Sequence, residues 1–330
     1  MVSNQTMEKY QDLRGKDLSN QDLSDTAIEI LISSKFNTLT KWSPTDKLPN
    51  GFIPNLIIEK GKCPGLGIEN IQENGITGKG INVAIIDQKL LKGHVEYRDV
   101  LASYEEIGEQ NYGPQMHGSA VASLLVGKDC GVAPEAKLFY YAVPCHRNFT
   151  CYAIALKQII EHNRASIDKI RAVSCSIGYR EEIPEEGLDG WIETIIQAEK
   201  EGIIMVHCAM RQLNLTGCGS RDDKDNLTSY RTALYTENHN NKINISVPVD
   251  YRTYASCGGE KEYEYSAKGG LSWAMPYVTG LICLILQVNP YSTNEEVFGL
   301  IRNNYSISQS GIKIINPSLI IESIQKLVKN

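Results

Sequence analysis

Residues 81–87 read Ile-Asn-Val-Ala-Ile-Ile-Asp, a short apolar run rich in β-branched side chains that ends on a carboxylate. A strand with one face in water would alternate apolar and polar residues, whereas a continuous run of this length is what burial on both faces demands. Working outward, similar runs recur over Lys137–Val143, Arg171–Ser176 and Ile203–Cys208. Between them, His117–Gly127, Tyr152–Asn163 and Leu188–Glu201 carry helical spacing. Strands alternating with helices imply parallel pairing through right-handed crossovers, so the pattern predicts a three-layer α/β domain with a mainly parallel central sheet. Such sheets collect their chemistry at the carboxyl ends of the strands, and Asp87 stands at that end of its run.

Two further segments supply partners for Asp87. His117 opens HGSAVASLLVG (117–127), whose small residues at 118, 119, 120 and 122 let a helix pack closely on a sheet. Ser272 lies in GGLSWAMPYVTG (269–280), where Gly269 and Gly270 permit a tight approach and Pro276 is expected in the first turn of a helix. A serine at a helix start has backbone N–H groups free to donate and a dipole that favours developing negative charge. Its hydroxyl is a poor nucleophile until a base removes the proton. An imidazole does this best when a carboxylate fixes its tautomer and orientation. Asp87, His117 and Ser272 are those three residue types.

Their order and surroundings resemble the subtilisin-like serine peptidases, or subtilases. GITGKG (75–80) with VAIID (83–87), HGSAVA (117–122) with GVAP (131–134), and GLSWAMPYVTG (270–280) are similar to the family's three motifs. VSCSIG (173–178) resembles the strand along which the family lays an extended substrate, which makes Ser176 and Gly178 candidate substrate contacts. The resemblance runs from about Pro64 to Leu327. It implies a subtilisin-like fold and a serine endopeptidase, with Ser272 as nucleophile, His117 as base and Asp87 orienting the imidazole. The chain also departs from the pattern. Asp87-Gln88-Lys89 lacks the glycine usual after the carboxylate, and Leu271 and Trp273 replace the usual Thr and Met beside the serine. Arg211 aligns with the family's oxyanion-donating Asn, and Asn214 follows three residues later, so both are candidate donors. Two readings remain: a working endopeptidase, or a weak or inactive relative serving as a peptide-binding or regulatory module.

The remaining composition narrows the partners. Net charge is −6 and no Lys/Arg block stands out, which excludes the electrostatic footprint of a nucleic-acid binder and leaves a protein or peptide as the expected substrate. The N-terminus has no apolar signal core, and the apolar run around Leu281–Leu286 is too short to span a bilayer, so no membrane partner and a cytoplasmic location are expected. The nine cysteines form no C-x-x-C pair and read as reduced thiols. Cys145, His146 and Cys151 lie close together, as do His207 and Cys208, but neither group reaches a four-ligand spacing. No metal or cofactor is expected, and calcium is implied by the resemblance alone. Residues 1–62 stand apart from the catalytic domain at 63–330. In them Leu13, Leu18, Leu23 and Ile28 recur every fifth residue behind Asp12, Asp17, Asp22 and Ala27, in a pattern similar to pentapeptide repeats. Four pentads bury little by themselves, so this segment is expected to pack on the catalytic domain as a cover or pro-segment.

Overall fold

The structure is a computed structural model in which residues 10–144, 148–180, 182–236 and 244–329 are described. The N-terminal part supplies α1 (Ile28–Ile32), β1 (Lys35–Asn37) and α2 (Pro54–Lys62). There follow α3 (Ile68–Glu73), β2 (Asn82–Asp87), β3 (Leu101–Glu106), α4 (Met116–Val126), β4 (Lys137–Ala142), α5 (Phe149–Ala165), β5 (Ile170–Cys175), α6 (Leu188–Lys200) and β6 (Ile204–His207). The last part holds β7 (Leu215–Gly219), β8 (Arg231–Thr232), β9 (Ile245–Pro248), β10 (Arg252–Ala255), β11 (Tyr263–Ser266), α7 (Leu271–Val288), α8 (Asn294–Asn303), β12 (Tyr305–Ile307), β13 (Lys313–Ile315) and α9 (Pro317–Lys329).

The central sheet has the order β3-β4-β2-β5-β6 with every pairing parallel, as the strand–helix alternation predicts. β2 lies in its middle and is buried throughout. Val83 and Ile85 join the core beneath α4 and α7, whereas Ala84 and Ile86 join the core beneath α5 and α6. That is why its sequence is apolar without alternation: both faces are covered. The result is the three-layer α/β architecture.

Helix α7 is buried from Trp273 to Leu286 and is apolar all round. By length and composition it could cross a membrane, but such a helix is equally what the middle of a large core requires. It packs on β5 and β6 and also on β7 and β9, and so joins the central sheet to a second sheet of order β12-β13-β9-β7-β8.

A third, antiparallel sheet of order β1-β11-β10 attaches the N-terminal segment. The five-residue period of that segment has a direct physical basis. Asp12, Asp17 and Asp22 each accept from the backbone N–H two residues on, at Arg14, Ser19 and Ser24. The following Leu13, Leu18 and Leu23 donate their N–H groups to the carbonyls of Lys35, Lys41 and Lys47 and accept a turn bond from Lys16, Gln21 and Thr26. A five-residue repeat is thus laddered against carbonyls spaced six apart. Leu13 and Leu18 are buried; Leu23 and Ile28 are partly so.

Candidate active site

Asp87 ends β2 at the carboxyl edge of the central sheet and is 5% exposed. One of its oxygens, Oδ1, accepts both the backbone N–H of Gln88, at 2.8 Å, and Nδ1 of His117, at 2.7 Å. A carboxylate can only accept, so Nδ1 carries the proton and the other ring nitrogen, Nε2, keeps its lone pair. The turn that the family builds with a glycine is held here by Lys89. Its buried ammonium donates to the Gln110 carbonyl and pairs with Glu106 at 2.7 Å.

His117 lies in the first turn of α4, which starts one residue earlier, at Met116. Burial acts to lower its pKa, and the charge and hydrogen bond of Asp87 more than offset this, so the net shift is upward. Gly118 has to be a glycine: a Cβ there would run into the Gln88 carbonyl, which Tyr140 also approaches with its hydroxyl. Helix start and strand end are therefore packed backbone to backbone.

Ser272 is the second residue of α7. The expectation that Pro276 occupies the first turn is corrected, because the helix begins at Leu271 and the proline is its sixth residue. A proline there cannot donate to the carbonyl four residues back, and that carbonyl belongs to Ser272. The hydroxyl of Ser176 fills the gap, donating to the Ser272 carbonyl at 2.9 Å. In return the Ser272 Oγ lies 3.5 Å from the Ser176 carbonyl, a long contact. This anchoring role of Ser176 was missed from the sequence, although a proline four residues after a serine announces a freed carbonyl that needs a donor. The glycines also divide: a Cβ at Gly269 would strike the Val249 carbonyl, but Gly270 faces open space.

α7 packs on α4, and Trp273 brings its ring to 5.3 Å from the His117 ring, so the starts of the two helices meet. At Leu271, the residue before Ser272, a cleft of about 550 Å³ is lined also by Gly178, Tyr179, Arg180, Ile183, Glu185 and Cys208. The two oxyanion candidates separate in space. Arg211 is exposed and lines a cleft against α6 with Ile192 and Ile196. Asn214, also exposed, lines a cleft of about 160 Å³ with Cys208, Leu271 and Met275, at the start of α7.

His207 ends β6, stacks on Tyr179 at 5.7 Å and is pushed down to about 4 by burial, so it is neutral. Cys145 and His146 lie outside the described residues. Among the described residues, Cys63, Glu69 and Asp225 bring ligand atoms within 4.8 Å of one another. Burial raises the Cys63 thiol to about 11, and a protonated soft sulfur does not suit a hard, oxygen-seeking cation, so these residues do not fit calcium.

Fold and site together define an α/β protein with a carboxylate-oriented histidine whose ring meets the residue next to a helix-start serine. The chain belongs to the subtilase family, whose pattern matches residues 78–316. It is 20% identical over 318 residues to the subtilisin-like protease SBT6.1 of Arabidopsis thaliana; the match takes in 88% of this chain and 30% of the length of that relative. Its fold is similar to that of the subtilase cytotoxin SubAB, with a TM-score of 0.61, 14% identity and coverage of 80% of this chain and 96% of that one. The A-subunit of the AB5 toxin from E. coli superimposes with a TM-score of 0.60 at 15% identity, over 79% of this chain and 98% of that one. The prenylagaramide maturation protease PagA gives 0.55 at 15% identity, over 78% and 98%.

Proposed function

We propose that this chain is a serine endopeptidase acting through an acyl-enzyme on Ser272. The observation that carries the reading is the 2.7 Å bond from His117 Nδ1 to a buried Asp87, at a histidine whose ring meets the residue next to Ser272. In this scheme the substrate lies extended along the end of β5, near Ser176 and Gly178, with a side chain in the cleft beside Leu271. Ser272 Oγ attacks the scissile carbonyl as His117 Nε2 takes its proton. The carbon–nitrogen bond then breaks, and the amine leaves with that proton. Water, deprotonated by the same nitrogen, cleaves the ester and restores Ser272. Asp87 holds the imidazolium through Nδ1. The oxygen that becomes negative accepts from the Ser272 N–H, one of the unpaired first-turn donors, and from a second donor in the loop after β6.

The exposed position of Arg211, where the family's pattern has its Asn, keeps one rival: a peptide-gripping protein that does not cut. A fluorophosphonate probe decides between them. Stoichiometric labelling that disappears in Ser272→Ala, with peptide hydrolysis falling by on the order of 10⁴-fold or more in Ser272→Ala and in His117→Ala, is the expected result. Folded protein that takes no label would point to the binder.

A further inference from the structure

Trp273 takes the place of a Met in the family's pattern, and its surroundings give that exchange a purpose. The indole is 7% exposed and wedged between two rings, His117 at 5.3 Å with a 40° tilt and Tyr254 at 5.2 Å with a 61° tilt. Room for it is made by Gly269, where a Cβ would stand 3.0 Å from Trp273 Cδ1. The indole N–H is buried without a partner, a penalty that a Met or Phe would not incur. What the indole offers there in place of a thioether is an aromatic ring beside His117.

His117 is fastened to Asp87 at Nδ1, and a ring fastened at one atom can still swing about that bond. An aromatic ring held 5.3 Å from the imidazole at a 40° tilt opposes the swing. When the imidazole takes a second proton, its charge lies within the range at which an indole attracts a cation, and among aromatic side chains the indole does this best. We propose that Trp273 is a positioning residue for His117, its indole face restraining the imidazole and stabilising it in the doubly protonated form. The proposal rests on the reading of His117 as the general base.

The groups facing this pair leave the assignment simple. Asp87 on β2 is the charged neighbour of the imidazole and raises its pKa against the lowering effect of burial. Tyr140 on β4, Cys175 on β5 and Cys208 after β6 sense Asp87, and burial drives each upward, so all three are neutral. Tyr254 on β10, behind the indole, is held neutral in the same way.

The test is an NMR titration of the His117 ring proton in wild type, Trp273→Met and Trp273→Phe, with the acid limb of kcat/KM recorded beside it. Removing the aromatic face in Trp273→Met is expected to lower the His117 pKa by about 1 unit and to move the acid limb to lower pH by the same amount. Trp273→Phe keeps a smaller face and is expected to lose about half as much. An unchanged or raised pKa in Trp273→Met overturns the proposal, as does a Phe variant that falls as far as Met. Should Trp273→Met not fold, Trp273→Phe carries the test alone, and no fall in its pKa counts against the proposal. The titration reads the imidazole whether or not peptide bonds are cut. Fluorophosphonate labelling of the wild type judges the endopeptidase reading separately.

Discussion

The loop after β6 holds two candidates for one task, donating to the oxygen that turns negative as Ser272 attacks. Arg211 projects from a surface cleft against α6, in company with Ile192 and Ile196. Arg211 is exposed there, and carrying its charge from the surface into a closed site costs desolvation. Asn214 borders the cleft that Leu271 and Met275 share, one turn or less along α7 from Ser272. Asn214→Ala is therefore expected to lower kcat by about 10²-fold with little change in KM, and Arg211→Ala to leave both within about twofold. Steady-state kinetics on a peptide substrate checks this. Full kcat in Asn214→Ala with a loss in Arg211→Ala would reverse the choice. The residue types were legible in the sequence because each chemical role admits few side chains. The path of the loop was not, since a loop with Arg211 where the family has its Asn takes a course that no local pattern encodes.

Periodicity did well for strands buried on both faces and for helices with one buried face. β2, β4, β5 and β6 fall within a residue or so of the runs read as strands, and α6 nearly coincides with the helical stretch at Leu188. It did less well where one contact decides a boundary. The start of α7 at Leu271, ahead of Pro276, depends on Ser176 supplying the bond that the proline cannot, and Ser176 is 96 residues away. Pairing of β1 with β11 joins Phe36 to Tyr265, a separation that periodicity does not see. The approach of α4 to the end of β2 is a case where the glycine pattern could be read. It also makes a test. Gly118→Ala would press a methyl group on the Gln88 carbonyl, next to Asp87, and the neighbours there are backbone and a buried Tyr140 that cannot swing aside. Overpacking of this kind is expected to lower stability by about 1–3 kcal/mol, and any displacement of Asp87 from His117 should lower kcat as well. Urea unfolding and turnover measured on the same sample would show both losses. Wild-type values of both would mean that strand and helix part without strain.

For the molecule as a whole, the question is whether the N-terminal segment is a removable cover or part of the body. Phe36 packs on Tyr265 at 4.9 Å, the rings tilted by 40°, and meets Trp42 at 5.2 Å, so an aromatic cluster spans the segment and the third sheet. Arg14 and Lys35 both pair with the buried Glu264 of β11. Beneath them, the Lys224 ammonium donates to the carbonyls of Gly61 at 3.0 Å, Cys63 at 3.3 Å and Tyr251 at 2.9 Å. One lysine, its pKa drawn down to about 7 by burial, thus ties the end of α2 to the turn before β10. Removing residues 1–62 would strip the partner strand from β11, uncover Tyr263 and Tyr265, and take from Glu264 both its cations and part of its cover. Re-exposing buried side chains at about 1.5–3 kcal/mol each takes a large share of the stability of an ordinary domain. The shortened protein, starting at Cys63, should therefore lose its cooperative melting transition and its soluble yield; it should not gain activity. Lys224→Met is the finer probe: it leaves the chain whole and removes only the tie. It should lower stability by about 2 kcal/mol or more while activity per folded molecule stays at the wild-type level, since Lys224 touches neither Asp87, His117 nor Ser272. A variant lacking residues 1–62 that melts normally and cuts faster would make the segment a removable inhibitor. In that case the aromatic cluster and the lysine tie would be a latch that opens, and Lys224→Met should then raise activity too.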